Sequence, residues 1–185
     1  MNEPTVIVLA SGRGERFRES GGGTHKLHAL LGDKSVLTHT LDAVRASGLP
    51  WHLEDTGHAG MGDSISAAVR ATPEAHGWLI LPGDLPLVRP DTLRRVAQAL
   101  QAHAAVVPVF QGQRGHPVGF AQSCGPALAA LAGERGAVGV ARANTAVEIE
   151  VTDEGCVTDV DTLADLNRAK QLLASRAGTQ VPGQG

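Results

Sequence analysis

Cations gather around two glycines near the start of the chain: Arg13 between Gly12 and Gly14, then Arg16, and Lys26 beyond the insert Gly21-Gly22-Gly23. Glycines let backbone N–H groups approach an anion, and neighbouring cations neutralise it. The arrangement suits a nucleoside triphosphate; on spacing alone a solvated turn suits it equally. Gly12-x-Gly14-x-x-Phe17 lacks the third glycine of the dinucleotide fingerprint, and no clear helix starts there. Residues 21–26 lack the Gly-Lys-Ser/Thr order of a P-loop. A second Gly-rich turn, residues 57–64, runs into a helical pattern marked by Ile65, Ala68 and Val69, with Ser64 or Asp63 as cap. Such a helix start takes an electronegative ligand edge, or is an ordinary capped turn. Asp84, in Pro82-Gly83-Asp84-Leu85-Pro86, follows a buried run and is a hard oxygen ligand suited to Mg²⁺; its other role is to cap the turn. His116 precedes Pro117 and is therefore extended, either to contact substrate or as a structural residue.

The elements that must position these groups follow from hydrophobic spacing. Residues 5–10 and 77–81 are short apolar runs without polar alternation, which predicts strands buried on both faces of a parallel sheet. Residues 35–47 read as a helix capped by Ser35 and stopped by Gly48. Residues 50–54 read as a short strand. Residues 90–102 form a helix with Pro90 in its first turn. Residues 105–110 and 115–120 are extended, joined by a turn; 126–132 is a short helix and 133–137 a polar loop. Residues 147–151 alternate as a half-exposed strand, and 157–161 are extended. Thr162 and Asp165 form a capping box for a last helix. Strands alternating with helices imply an α/β fold: a doubly wound, mainly parallel sheet with an antiparallel excursion around residues 106–120. Residues 1–174 read as one domain and 175–185 as a disordered tail.

Composition narrows the partners. The 185-residue chain carries a net charge of −3, which argues against a nucleic-acid binder, and it has no Tyr for base stacking. No apolar run reaches membrane-spanning length, and the start lacks a secretory pattern. Cys124 and Cys156 have no metal-ligand spacing and read as reduced thiols of a cytoplasmic protein.

Five stretches, in order, carry a resemblance that covers nearly the whole chain. Leu9-Ala10-Ser11-Gly12-Arg13-Gly14-Glu15-Arg16-Phe17, followed by Lys26-Leu27, resembles the signature loop of nucleotidyltransferases of the molybdenum-cofactor type. Gly60-Met61-Gly62-Asp63-Ser64-Ile65 resembles a segment of their cytidylyltransferase branch, and Pro82-Gly83-Asp84-Leu85-Pro86 the family's metal motif. Gly115-His116-Pro117-Val118-Gly119-Phe120 and Asp159-Val160-Asp161-Thr162-Leu163-Ala164-Asp165-Leu166 resemble its two later motifs.

The resemblance implies transfer of a nucleoside monophosphate from an NTP, CTP by preference, to a phosphorylated acceptor such as molybdopterin, with release of pyrophosphate. It implies that Arg16 and Lys26 neutralise the triphosphate as catalytic residues and that Asp84 and Asp161 hold Mg²⁺. Leu9, Ala10, Ser11, Gly12, Arg13 and Gly14, with Gly60, Met61, Gly62 and Ser64, would bind the nucleotide. His116, Pro117, Glu134 and Arg135 would bind the acceptor, and a molybdoenzyme chaperone would be a transient partner. Ser11 stands where the guanylyl branch has a second glycine, which points to CTP. Two departures stand out. The family's strand–helix unit between residues 48 and 60 is truncated, and the 131–138 loop has Glu134 for Asp and no closing Arg. Both departures keep open a transferase of the same fold that uses GTP or another NTP and a different phosphorylated acceptor; a non-catalytic nucleotide- or cofactor-binding protein is the reading from another class. The long Gly21–Gly23 loop is expected to be mobile without ligand.

Overall fold

The computed structural model describes residues 2–178. Its first strand, β1 (Thr5–Leu9), is followed by a five-residue helix, α1 (Glu15–Glu19), and by a small hairpin of β2 (Leu30–Leu31) and β3 (Lys34–Ser35). Helix α2 (Val36–Ser47) has the expected ends: Ser35 Oγ accepts from the Thr38 N–H, and Gly48 takes φ +78°. Then come β4 (Trp51–Glu54), α3 (Met61–Ala71), β5 (Gly77–Pro82), α4 (Pro90–Ala99), β6 (Ala105–Phe110), β7 (Gln113–Arg114) and β8 (Val118–Ala121). Helices α5 (Gly125–Ala129) and α6 (Val138–Ala143), strand β9 (Val147–Glu150) and helix α7 (Leu163–Gly178) complete the order.

The seven-stranded sheet runs β4-β1-β5-β8-β6-β7, with β9 also paired to β6. β1 is parallel to both β4 and β5, and β6 is parallel to β9; β8 is antiparallel to both β5 and β6, and β7 to β6. Thus β1, β4, β5, β6 and β9 share one direction, and β7 and β8 supply the antiparallel excursion. Alternate residues face opposite layers. Val6, Val8, Leu79 and Leu81 pack with Val44, Leu93 and Val96 of α2 and α4. Ile7, Trp78 and Ile80 pack with Ile65, Leu128 and Val140 of α3, α5 and α6. Each fully buried aliphatic side chain contributes about 1.5–3 kcal/mol to holding these layers. A third cluster, with Phe17, Leu27, Leu31, Leu87, Val160 and Leu166, ties the loop after β1 to α7 at the carboxyl end of the sheet.

Several expectations change. A helix does begin behind Gly14, which caps it with φ +64°; five residues with no side-chain cap bond give too short a pattern to read. Helix α3 starts at Met61, so neither Asp63 nor Ser64 caps it; its N-cap is Gly60, and the Gly62 N–H is taken by the Gly133 carbonyl at 2.8 Å. Residues 153–155 read as a turn, and the turn reaches further than expected: Glu154–Val157 is a 3₁₀ turn that takes in Val157, with Asp153 Oδ1 accepting from the Gly155 N–H at 2.9 Å. Helix α6 begins directly after the expected 133–137 loop, over residues for which the spacing predicts no element. Thr162 and Asp165 do form the reciprocal box, and α7 runs to Gly178, past residue 174. The remainder of the expected tail lies outside the described residues. In the 21–23 insert, whose expected mobility is a separate matter, the Gly22 N–H donates to the Phe17 carbonyl at 3.0 Å, and a Cβ at Gly22 would overlap the Phe17 ring.

Candidate active site

The chain reverses lateral direction at β1, which lies between β4 and β5, and ligands bind beyond the carboxyl ends of strands at such a switch point. The loops leaving β1, β4 and β5 meet there. The Gly83 N–H donates to the Leu9 carbonyl at 2.8 Å, and the Thr40 hydroxyl donates to the Gly83 carbonyl at 2.8 Å, which fixes the turn carrying Asp84. The Val160 N–H donates to the Asp84 carbonyl at 3.0 Å, which lays the 158–161 segment against that turn. Two aspartates distant in sequence thereby face one another.

Between them lies Lys26. Its Nζ is 2.6 Å from Asp84 Oδ2 and 2.7 Å from Asp161 Oδ1, and Arg16 holds Asp161 Oδ2 at 2.8 Å. The Lys26 side chain is 15% exposed and that of Arg16 75%. The lysine pairing is therefore sheltered from solvent, and the arginine's is a screened surface contact of small worth. Burial works against the ammonium charge, but Asp84 and Asp161 outweigh it and raise the Lys26 pKa above its ordinary value. Asp159 stands nearby. Burial first, then the charges of Asp84 and Asp161, push its carboxyl above the usual range.

These ionic groups floor two adjoining clefts. The first, of about 440 Å³, is lined by Ser11, Gly12, Arg13, His58, Gly60 and Ser64 among others. The second, of about 360 Å³, is lined by Gln113, Arg114, His116 and Asp159 among others. Arg16, Lys26, Asp84 and Asp161 line both. Each is within the usual size of a small-ligand site. His116 hangs in the second cleft from its backbone N–H, which donates to the Cys156 carbonyl at 2.9 Å. Its Nδ1 is buried without a hydrogen-bond partner among the described residues, and burial lowers its pKa against the opposing field of Asp84.

The structure brings together Leu9, Ser11, Gly12, Arg13, Gly14, Gly60, Met61 and Ser64 around the first cleft. Ser11 Oγ and Ser64 Oγ are hydrogen-bonded at 2.7 Å across it. Ala10 and Gly62 line neither cleft, because the backbone N–H of each is bonded away from it, Ala10 to Glu54 and Gly62 to Gly133. Glu134 lies on the first cleft rather than beside His116, while Pro117 and Arg135 line neither. The reason is backbone packing: a Cβ at Gly60 would meet the Gly133 carbonyl oxygen at 2.2 Å, and one at Gly62 the Arg135 carbonyl oxygen at 2.5 Å. The 132–135 loop therefore backs the start of α3. Sequence reasoning missed His25, whose Nε2 donates to the Gly12 carbonyl at 2.6 Å and whose Nδ1 accepts from the Leu27 N–H, so that it braces the basic loop. It also missed His58.

The carboxylate pair already embraces a cation, the ammonium of Lys26, so its oxygens converge on one point. Among the described residues no group of three or more His, Cys, Asp or Glu side chains is placed to hold a metal. Two carboxylates completed by phosphate oxygens and water are what Mg²⁺ takes, so the donor set fits a hard divalent ion brought in with a phosphorylated ligand.

Residues 43–148 match the model of the MobA-like NTP transferase domain. The chain belongs to this family. It is 31% identical over 121 residues to the bifunctional protein GlmU of Psychrobacter, a match covering 53% of this chain and 26% of that one. The chain thus spans about a quarter of the length of the curated relatives it matches. Among solved structures it resembles Rv0371c of Mycobacterium tuberculosis, with a TM-score of 0.76, 26% identity, and coverage of 92% of this chain and 98% of that one. The same protein in complex with manganese matches with a TM-score of 0.72 at 25% identity, over 91% and 98% of the two chains. The molybdopterin-guanine dinucleotide biosynthesis protein A of Archaeoglobus fulgidus has a TM-score of 0.66 at 20% identity, over 92% and 99%, a likeness of fold. Family and fold support nucleotidyl transfer. No helix of the described residues is long and apolar enough to cross a membrane.

Proposed function

We propose that the chain transfers CMP from CTP to a phosphorylated acceptor of the molybdopterin type, with Mg²⁺ as cofactor and pyrophosphate as the second product. One observation carries this reading: Lys26, Asp84, Asp161 and Arg16 form the shared floor of two clefts, so two ligands placed one in each would meet at these charges. The triphosphate belongs in the first cleft, beside the glycines and Arg13, and the acceptor phosphate in the second, beside Arg114 and His116.

The acceptor's terminal phosphate, with a second pKa of about 6, is already anionic near neutral pH and needs no general base. One of its oxygens attacks the α-phosphorus; the new P–O bond forms as the bond to the β-phosphate oxygen breaks, and its electron pair leaves on pyrophosphate. Lys26 and Arg16 exchange their carboxylate partners for phosphate oxygens and so relieve the repulsion between two polyanions. Asp84 and Asp161 would then hold the divalent ion, which neutralises charge on the phosphates when bound. The cleft walls align attacking and leaving oxygens. Support for a divalent ion comes from the oxygen donor pair and from the manganese complex of a 25%-identical neighbour. Support for CTP comes from Ser11 and the Gly-Met-Gly-Asp-Ser turn.

A second reading keeps the transfer but changes the acceptor. It rests on Glu134 lying on the nucleotide side and Arg135 lining neither cleft, which removes both from the acceptor's reach. The test is pyrophosphate release with Mg²⁺ and each of the four NTPs, with and without molybdopterin. Release that requires CTP and molybdopterin is expected. Release with CTP and another phosphorylated compound selects the second reading; no release with any NTP and acceptor overturns both.

A further inference from the structure

Behind the wall of the nucleotide cleft, and lining neither cleft itself, sits a buried acid that the transfer chemistry leaves unused. Glu54 ends β4, is 5% exposed, and its carbonyl accepts from the Ala10 N–H at 2.8 Å, so it is locked to the start of the basic loop. Three donors reach its carboxylate: the Thr56 N–H at 3.3 Å and His58 Nε2 at 3.0 Å on Oε1, and His52 Nε2 at 3.4 Å on Oε2. Burial disfavours the charge of Glu54, but these hydrogen bonds outweigh it and hold the carboxyl below its usual range.

An ionised carboxylate only accepts hydrogen bonds. The His58 nitrogen that faces it must therefore carry a hydrogen. In the neutral imidazole the other nitrogen, Nδ1, is then an acceptor, and no hydrogen bond reaches it among the described residues. His58 lines the first cleft with Ala59, Gly60, Ser11 and Ser64. β4 and β5 flank β1 on opposite sides; at about 4.8 Å per strand, the end of β4 lies roughly 10 Å across the sheet from the end of β5. His58 thus belongs to the end of the cleft away from Asp84. A triphosphate held by Lys26 and Arg16 directs its nucleoside toward that end.

We infer that His58, oriented by Glu54, reads the nucleobase, its Nδ1 accepting a hydrogen bond from an exocyclic amino group. This deepens the reading above and rests on it. Cytosine carries such an amino group at C4 and adenine at C6, where uracil and guanine place a carbonyl oxygen that would meet the Nδ1 lone pair; the amino group of guanine sits at C2, away from that position. Glu54 does not touch the base and is a positioning residue.

The experiment is calorimetric titration of CTP, UTP, ATP, GTP and inorganic tripolyphosphate, all with Mg²⁺, into the wild-type chain, His58→Ala and Glu54→Gln. The wild type should favour CTP over UTP by about 10-fold or more, the scale of leaving one buried polar group unpaired. His58→Ala should bring that ratio close to one while tripolyphosphate affinity stays unchanged. Glu54→Gln is nearly isosteric and can donate to His58 as well as accept from it. It should erode the same ratio without truncating the imidazole, which a purely structural role would not do. A CTP-to-UTP ratio unaltered in folded His58→Ala overturns the inference, as does a wild type that binds all four nucleotides alike; the transfer reading survives either result. ATP favoured with CTP over the carbonyl bases supports the amino contact, and ATP favoured over CTP moves the base preference to adenine. A wild type that binds neither nucleotides nor tripolyphosphate removes the proposed function, and the inference with it.

Discussion

The two ends of the nucleotide cleft are built on opposite principles. At the phosphate end four ionised side chains from three distant segments hold one another: Arg16 and Lys26 from the loop after β1, Asp84 after β5, and Asp161 ahead of α7. At the proposed base end the walls are backbone and small groups: Gly60, backed together with Gly62 by the 132–135 loop, Ser11 against Ser64, and one imidazole held by Glu54. The first end is an ionic cluster whose partners can be exchanged for a ligand's charges. The second is a packed surface whose shape must persist when the ligand arrives. In the proposed function, loosely committed charge would serve the chemistry, while close backbone contact and one fixed tautomer would serve recognition.

Substitutions at the two ends should separate these roles. Asp84→Asn should cut pyrophosphate release by about 10³-fold, the scale of losing one preorganised electrostatic group. Far-UV circular dichroism should be unchanged, and release within a few-fold of wild type would break the assignment. Gly62→Ala, behind the other end, should act on stability: its Cβ would meet the backbone carbonyls of Arg135 and Ala132. A loss of about 1–3 kcal/mol in denaturant unfolding is expected, as for overpacked sites. Ser11→Ala leaves Ser64 without its 2.7 Å partner across the cleft. It should cost about 1 kcal/mol, some five-fold in nucleotide affinity by calorimetry, with no change in tripolyphosphate affinity. The smallest effect is on pH. The folded-state pKa of Lys26 is raised, so its contribution to stability is whole below the unfolded value of about 10.4 and is lost as pH climbs through the folded value. Thermal melts between pH 9 and 11.5 should fall more steeply for the wild type than for Lys26→Met.

The phosphate end was legible in the sequence because its residues announce their chemistry by type. Gly12, Gly14, Arg16 and Lys26 follow an apolar strand, and Asp84 follows another. Asp161 could be paired with Asp84 only through the family resemblance, since nothing in the spacing of two aspartates so far apart says that they converge. The base end was visible only as glycines. That Gly60 and Gly62 pack on residues 132–135, while Gly60 also lines the first cleft, depends on a contact between two loops that no local pattern encodes. His58 had one faint signal, its position four residues after Glu54 in a Gly-rich turn, and that gains meaning only once β4 buries the glutamate. The fold followed the same divide. Long periodic elements such as α2, β5 and α4 could be read from hydrophobic spacing, whereas β2 and β3, two residues each, fall below the length at which a pattern exists. The turn at residues 153–155 could be read from its Asp-Glu-Gly sequence, but not its anchoring, in which Thr92 and Arg176 hold the buried Asp153, again a contact between distant segments.

The central claim is that Lys26 guards the Asp84–Asp161 pair and is released to a triphosphate. Calorimetric titration of inorganic tripolyphosphate with Mg²⁺, and separately of Mn²⁺ alone, into the wild type and Lys26→Ala tests it most directly. The account predicts opposite movements: tripolyphosphate affinity falls by about 10²-fold, as expected for loss of a sheltered charge contact of roughly 3 kcal/mol, while Mn²⁺ alone binds more tightly to the vacated carboxylates. Tripolyphosphate affinity unchanged in the variant would contradict it, as would weaker Mn²⁺ binding.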